Sequence, residues 1–203
     1  GGPSYVISSE ETSGLSALHA ASRALQQGRI DCAVVGAVDL AGDVRAMISL
    51  ESTDGLATPS DGAVALVLKR PAEAERDGDC VYGIVRAIGS AGSDATAPDS
   101  AMTGVNPPNL DTSIREAIRR SSEDADITAG DIPYVEAHGS GIAGQRRAEM
   151  TALSAAFGPD TVLGCTKAHV GHAGAAAGLI SVLGATLSLY QQVLPAAPGA
   201  NSG

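Results

Sequence analysis

The chain has no tryptophan, one phenylalanine and four tyrosines in 203 residues. Its 13 lysines and arginines are outnumbered by 23 aspartates and glutamates, giving a formal net charge of −10. Nucleic-acid binding wants basic stripes and stacking rings, so this composition argues against it. Cysteine is also sparse: Cys32, Cys80 and Cys165 are odd in number, far apart and set in apolar or strand-like contexts. Buried free thiols in a reducing, cytoplasmic compartment are the expectation. Apolar stretches look too short and too interrupted by polar residues to span a bilayer, and no charged-then-apolar leader opens the sequence. No membrane partner is therefore expected. What is present is apolar material, 44% of the chain, enough to bury a sizeable core.

Helices and short apolar strands alternate along the sequence. Tyr5-Val6-Ile7 reads as a strand that turns through Ser8, Ser9, Glu10 and Glu11 into a helix over about 10–27, with Leu15, Leu18, Ala21 and Leu25 at helical spacing. Gly28 is a stop signal. Residues 30–40 are nearly all apolar, as in a strand buried on both faces. Residues 62–70 and 81–92 read as two further strands, and the charged 71–79 as an exposed turn between them. A surface loop is expected over 93–110, then a helix from an Asp111 N-cap to about Ser122, with Ile114 and Ile118 on one face. A strand over 132–138, a helix near 145–157, a strand over 162–166 and a long helix over 172–192 complete the pattern. Such alternation predicts an α/β layered fold with much parallel pairing.

Three stretches carry chemistry-bearing residues. At the first turn, backbone N–H groups of a helix N-terminus favour negative charge, and Glu11 stands there. Ser8-x-x-Glu11 also has capping-box spacing, so Glu11 has a structural reading as well. In EAHGSGIAG (136–144), His138 ends a strand before three closely spaced glycines, which let backbone approach a ligand. In CTKAHVGHAGAAAGL (165–179), Lys167, His169 and His172 crowd a turn before a helix of very small residues. His169 and His172 lack an acidic or thiol partner at ligand spacing, so no metal is expected. Arg115, Arg119, Arg120, Arg146 and Arg147 form either a basic group suited to an acidic partner or a solvated helix face.

Taken in order, these stretches resemble the signature of the ketoacyl-synthase (condensing enzyme) family. Gly2-Pro3-Ser4 with Leu15, Ala17 and His19 is similar to the family's nucleophile turn and helix, with Glu11 at the cysteine position. Ile30 to Leu40, Asp61-Gly62-Ala63 and Val67-Leu68-Lys69 resemble the segments that follow it. Val135 to Gly141 matches the motif of the first active-site histidine, and Gly164, Lys167, Gly171 and His172 with 175–178 match that of the lysine and second histidine. The resemblance implies a thiolase-like layered α-β-α-β-α fold, with 1–203 one domain: 1–70 the end of an N-terminal half and 80–203 most of a C-terminal half. It further implies a fragment lacking part of the first half and the last strand.

In active members a cysteine holds the acyl chain, while two histidines bind the malonyl thioester and assist loss of CO₂. The resemblance therefore assigns the catalytic positions to Glu11, His138, His172 and Lys167, and substrate binding to Ser140 and Gly141. It implies no cofactor beyond the phosphopantetheine thioester of acyl carrier protein, which is substrate and partner. It also implies a homodimer, or a heterodimer with an active ketosynthase, through 30–40. Departures are Glu11 itself, Gln145-Arg146 where the family usually has Gly-Asp, and His169 in place of an asparagine. A carboxylate cannot accept the acyl chain except as a labile anhydride. Glu10 beside it adds a second charge, and two charges about 5 Å apart interact by about 3 kcal/mol at an effective dielectric near 20. Two expectations follow for fatty-acid or polyketide biosynthesis. One is a silent, chain-length-factor-like partner that shapes an active synthase's tunnel. The other is a malonyl-carrier decarboxylase in which a neutral Glu11 imitates the glutamine of decarboxylating relatives.

Overall fold

The computed structural model describes residues 2–40, 59–92 and 109–194, which fall into two compact units. One gathers 2–40, 59–84 and 166–194; the other gathers 85–92 and 109–165. The loop expected over 93–110 lies outside the described residues up to 108.

In the first unit a 3-10 turn, Glu10–Thr12, leads into helix α1, Ser13–Gln26. Tyr5-Val6-Ile7 forms no strand; Tyr5 and Val6 are exposed. β-propensity alone does not make a strand where no neighbouring backbone completes its ladder. Helix α1 buries Gly14, Leu18, Ala21 and Leu25, the stripe its spacing predicts. It ends in a Schellman motif: Gly28, at φ 65°, donates its N–H to the Leu25 carbonyl, and Arg29 donates to Ala24.

Strand β1, Cys32–Asp39, pairs antiparallel with β2, Gly62–Lys69, from Cys32↔Lys69 to Asp39↔Gly62. Val35 and Val64 point inward, whereas Val34 and Val67, directly opposite each other, are 74% and 73% exposed. The expectation of burial on both faces fails: among the described residues, only the face carrying Val35 and Val64 is covered. Cys32 and Cys80 are exposed and Cys165 is half-buried; all three are free thiols, so only the reduced state agrees with the sequence expectation.

Residues 71–79 are not simply a turn. Helix α2, Pro71–Asp77, starts with proline at its first turn, where the missing N–H costs nothing. Arg70 ties the corner together by donating to the carbonyls of Leu25 and Ile30 and to the carboxylates of Asp31 and Glu73. Lys69 bridges Asp77 and Asp79 at 2.5 and 2.6 Å. The strand expected over 81–92 is also absent among the described residues. Tyr82 instead lies against Tyr190, with ring centroids 4.8 Å apart.

The first unit closes with a short helix α5, Lys167–Val170, a 3-10 turn, Gly174–Ala176, and helix α6, Ala177–Gln191. Gly174–Gln191 is by length and composition apolar enough to cross a membrane, with mean hydropathy 1.3. That corrects the expectation for this segment, whose alanines, leucines, isoleucine and valine outweigh its interrupting polar residues. Here α6 crosses α1 through reciprocal small residues. Gly14 sits against Leu179, the largest fully buried side chain among the described residues, and Gly178 sits against Leu15.

In the second unit, helix α3, Leu110–Ala125, packs on α4, Ala143–Ala156. Its N-cap is Asn109 at φ 67°; Asp111, expected there, lies in the first turn and pairs with Arg115 at 2.9 Å. Arg119 bonds Glu116 and Glu123, and Arg120 bonds Glu116, which holds the Glu116 carboxyl down to about 2. The arginines of α3 thus pair within their own helix, and Arg120 also donates to the Ser90 carbonyl at 2.7 Å. Strands β3, Tyr134–Glu136, and β4, Val162–Gly164, pair in parallel, with Val135 opposite Leu163. Burial, and donation of its hydroxyl to Glu136, push the Tyr134 phenol up to about 12.

A methyl group at Gly14 would lie 2.9 Å from Leu179 Cγ and 3.1 Å from the Ala175 carbonyl oxygen. Overpacking costs about 1–3 kcal/mol, against a helix-propensity gain of at most about 1 kcal/mol. Gly14→Ala is therefore expected to lower the urea midpoint, and an unchanged midpoint would show that the crossing has slack.

Candidate functional site

Hydroxyls shape the turn that presents Glu11. The Ser13 hydroxyl accepts from the Ser9 N–H at 2.9 Å and donates to the Glu10 carbonyl at 2.5 Å, and the Thr12 hydroxyl donates to the Ser9 carbonyl at 2.7 Å. Ser9 and Ser13 thus do what a Ser8–Glu11 capping box was expected to do, and Thr12, the N-cap of α1, makes no side-chain cap bond. Glu10 takes φ 48°, a left-handed conformation uncommon outside glycine, which turns the chain sharply at the helix entry.

Glu11 Oε1 lies 3.0 Å from His172 Nε2. The histidine side chain is 8% exposed and the glutamate 55%. An ionised carboxylate has no proton to give, so with Glu11 ionised the imidazole is the donor, through Nε2. The backbone of His172 is held from β2's side: Ser60 donates its N–H to the His172 carbonyl at 3.1 Å, and Pro59 bridges to His172 in parallel. Three residues on, the Ala175 N–H donates to Asp39 Oδ2 at 2.8 Å. Lys167, buried at the start of α5, belongs to the same unit; His169, on the same short helix, is exposed.

His138, Ser140 and Gly141 belong to the second unit. The His138 side chain is exposed, and its loop is clamped by a carboxylate missed in the sequence. Glu149 Oε1 accepts from the His138 N–H at 2.6 Å, and Oε2 accepts from the Gly139 N–H at 3.0 Å. Glu149 is only 8% exposed. The signal that could have found it is its place on the apolar stripe of α4 with Ala152 and Leu153, where an acid persists only if paired. Cys165 Sγ lies 3.8 Å from the His138 carbonyl oxygen. Ser140 is buried and its hydroxyl is engaged twice, donating to Gln145 Oε1 at 2.7 Å and accepting from the Ile142 N–H at 3.2 Å. Gln145, which the resemblance marks as a departure, thus accepts the hydrogen of the Ser140 hydroxyl. Among the described residues, no three His, Cys, Asp or Glu side chains gather as metal ligands.

Two family patterns cover the chain: beta-ketoacyl synthase, N-terminal domain, over 1–91, and beta-ketoacyl synthase, C-terminal domain, over 83–201. Relatives include an erythronolide synthase of Saccharopolyspora erythraea, 34% identical over 96% of this chain and 7% of its own length. A 5-methyl-1-naphthoate synthase of Streptomyces sahachiroi is 32% identical over 97% of this chain and 12% of its own length. Among solved structures, the ketosynthase from module 6 of the bacillaene synthase of Bacillus subtilis 168 superposes with TM-score 0.82 at 30% identity, covering all of this chain and 37% of that one. An oxazolomycin ketosynthase domain of Streptomyces albus gives 0.81 at 28%, covering 99% of this chain and 38% of that one. The fold is accordingly the thiolase-like α/β fold, and the chain spans a small part of its curated relatives and about two fifths of the solved ones.

Glu149→Ala would strip two buried N–H groups of their acceptor, at about 1–3 kcal/mol for each unsatisfied group. Chemical denaturation is expected to show a loss in that range for Ala and a smaller one for Gln, which keeps one acceptor. Equal stability of all three proteins would remove the clamp from this description.

Proposed function

The chain belongs to the beta-ketoacyl synthase family, and from that premise we propose that it serves polyketide-type biosynthesis as a non-condensing, chain-length-factor-like partner of an active ketosynthase. The observation that carries this reading is the hydrogen bond between Glu11 and His172. Condensation starts with transfer of an acyl group to a thiolate, and the carboxylate at that position offers only an anhydride, which water destroys. The same carboxylate also occupies the histidine. An Nε2–H available to a thioester carbonyl would polarise it; here that hydrogen is directed at Glu11 Oε1. One side chain thus removes the nucleophile and engages a carbonyl-binding donor. The remaining role is to pair with an active ketosynthase served by acyl carrier protein. The outward apolar residues of β1 and β2, Val34, Val38 and Val67, suit such a pairing.

The alternative, decarboxylation of malonyl carrier without condensation, is favoured by one feature, the presence of both His138 and His172. It needs Glu11 neutral and His172 free to turn toward substrate.

Intact-mass measurement after incubation with acyl-carrier thioesters is expected to find no covalent acyl group on the chain, with CO₂ release from malonyl carrier at background. Replacing the charged acceptor by Glu11→Gln weakens its hold on Nε2–H. A difference of about 1.4 kcal/mol would raise decarboxylation about tenfold. A two-carbon extension by the chain alone would overturn the proposal. Decarboxylation by the unaltered chain, abolished in His172→Ala, would replace it with the alternative.

A further inference from the structure

We infer that Asp39 is the positioning residue of the Glu11–His172 pair. The inference rests on local geometry and stands whether the pair silences the site or supports decarboxylation. Asp39 ends β1, where it pairs with Gly62, the first residue of β2. Its Oδ2 accepts the Ala175 N–H at 2.8 Å, inside the 3-10 turn Gly174–Ala176 that opens α6. That turn packs on β1 on one side and on the Glu10–Thr12 turn on the other. One carboxylate therefore anchors the turn following His172 to the sheet, at the place where the turn meets the segment carrying Glu11.

The two glycines beside this contact have no room for a side chain. Gly174 takes φ 43°, and a Cβ there would overlap the Asp39 carboxylate. A Cβ at Gly62 would likewise collide with the methyl group of Ala173, so a side chain at either glycine would push the turn off the strands. A further bond, Ala176 N–H to the Ala173 carbonyl at 2.8 Å, closes the turn on itself. With Ser60, just before β2, holding the His172 carbonyl, the backbone that follows the imidazole is tied down at two places, the 172–173 and 174–175 peptides. A carboxylate at a turn of N–H groups is electrostatically favourable and makes a stronger bond than a neutral acceptor. No sequence signal marked Asp39, because an acid ending an apolar strand reads as a solvent-facing terminus.

The test compares Asp39→Asn, Asp39→Ala and Asp39→Ser by nitrogen-15 NMR of the histidine rings, with the His172 signals assigned through His172→Gln. His138, in the other unit, is the internal control. The parent protein is expected to show one fixed ring form, with the hydrogen on Nε2 if Glu11 is ionised and on Nδ1 if it is neutral. Asn, whose carbonyl oxygen keeps the acceptor, is expected to preserve that signature. Ala and Ser, which cannot reach the Ala175 N–H, are expected to lose it and give exchange-averaged ring signals while His138 stays unchanged. An unchanged His172 signature in folded Ala or Ser protein would overturn the inference. Failure of both to fold would overturn it too, since Asp39 would then be a general strut rather than a positioner of His172.

Discussion

The hydrogen bond between His172 Nε2 and Glu11 Oε1 joins two helix entries, and most of the first unit is arranged so that these entries meet. Glu11 stands where α1 begins, and His172 stands just before the turn that opens α6. For the two ends to approach, the helix bodies behind them must cross closely. Gly14 and Gly178 allow this, each receiving a leucine from the opposing helix. The small residues of 173–178 are therefore the condition for the site's geometry, and the high glycine and alanine content has a local purpose. Helix N-termini favour negative charge, so a carboxylate is at home beside α1 where a thiolate would otherwise be stabilised.

A second constraint comes from the sheet. β1 and β2 form an antiparallel ribbon whose inner face carries α1, α6 and the 3-10 turn, and whose outer face is apolar and exposed. The inner face supplies Asp39, and Ser60, just before β2, joins it in holding the backbone that follows His172. The outer face is apolar surface that a lone solvated ribbon does not ordinarily present. The support of the site and the exposed apolar surface thus lie on opposite faces of the same two strands.

Much of this was legible in the sequence, and the failures share a cause. The apolar spacing of α1, the glycine stop at 28 and the strand-turn placement of His138 follow from local rules, and the structure has them. Family resemblance placed Glu11 and His172 in one site, and they are in contact. What local pattern could not supply was partnership. Tyr5–Ile7 and 81–92 have strand composition but lack ladder neighbours among the described residues. Residues 71–79 look like a turn by charge, yet those charges belong to a helix whose ends are tied to Lys69 and Arg70. Asp39 and Glu149 escaped notice because each acts on backbone N–H groups distant in sequence, 136 and 10 or 11 residues away. Carboxylates in that role are recognisable only once the backbone they bind has been folded against them.

The central claim is about one hydrogen atom: it sits on the imidazole and points at the carboxylate. Neutron diffraction from deuterium-exchanged crystals near neutral pH would locate it. The account predicts nuclear density on His172 Nε2 directed toward Glu11 Oε1, with the glutamate bare. Density on Glu11 Oε1 instead, with Nε2 bare, would make Glu11 a neutral donor and contradict the account.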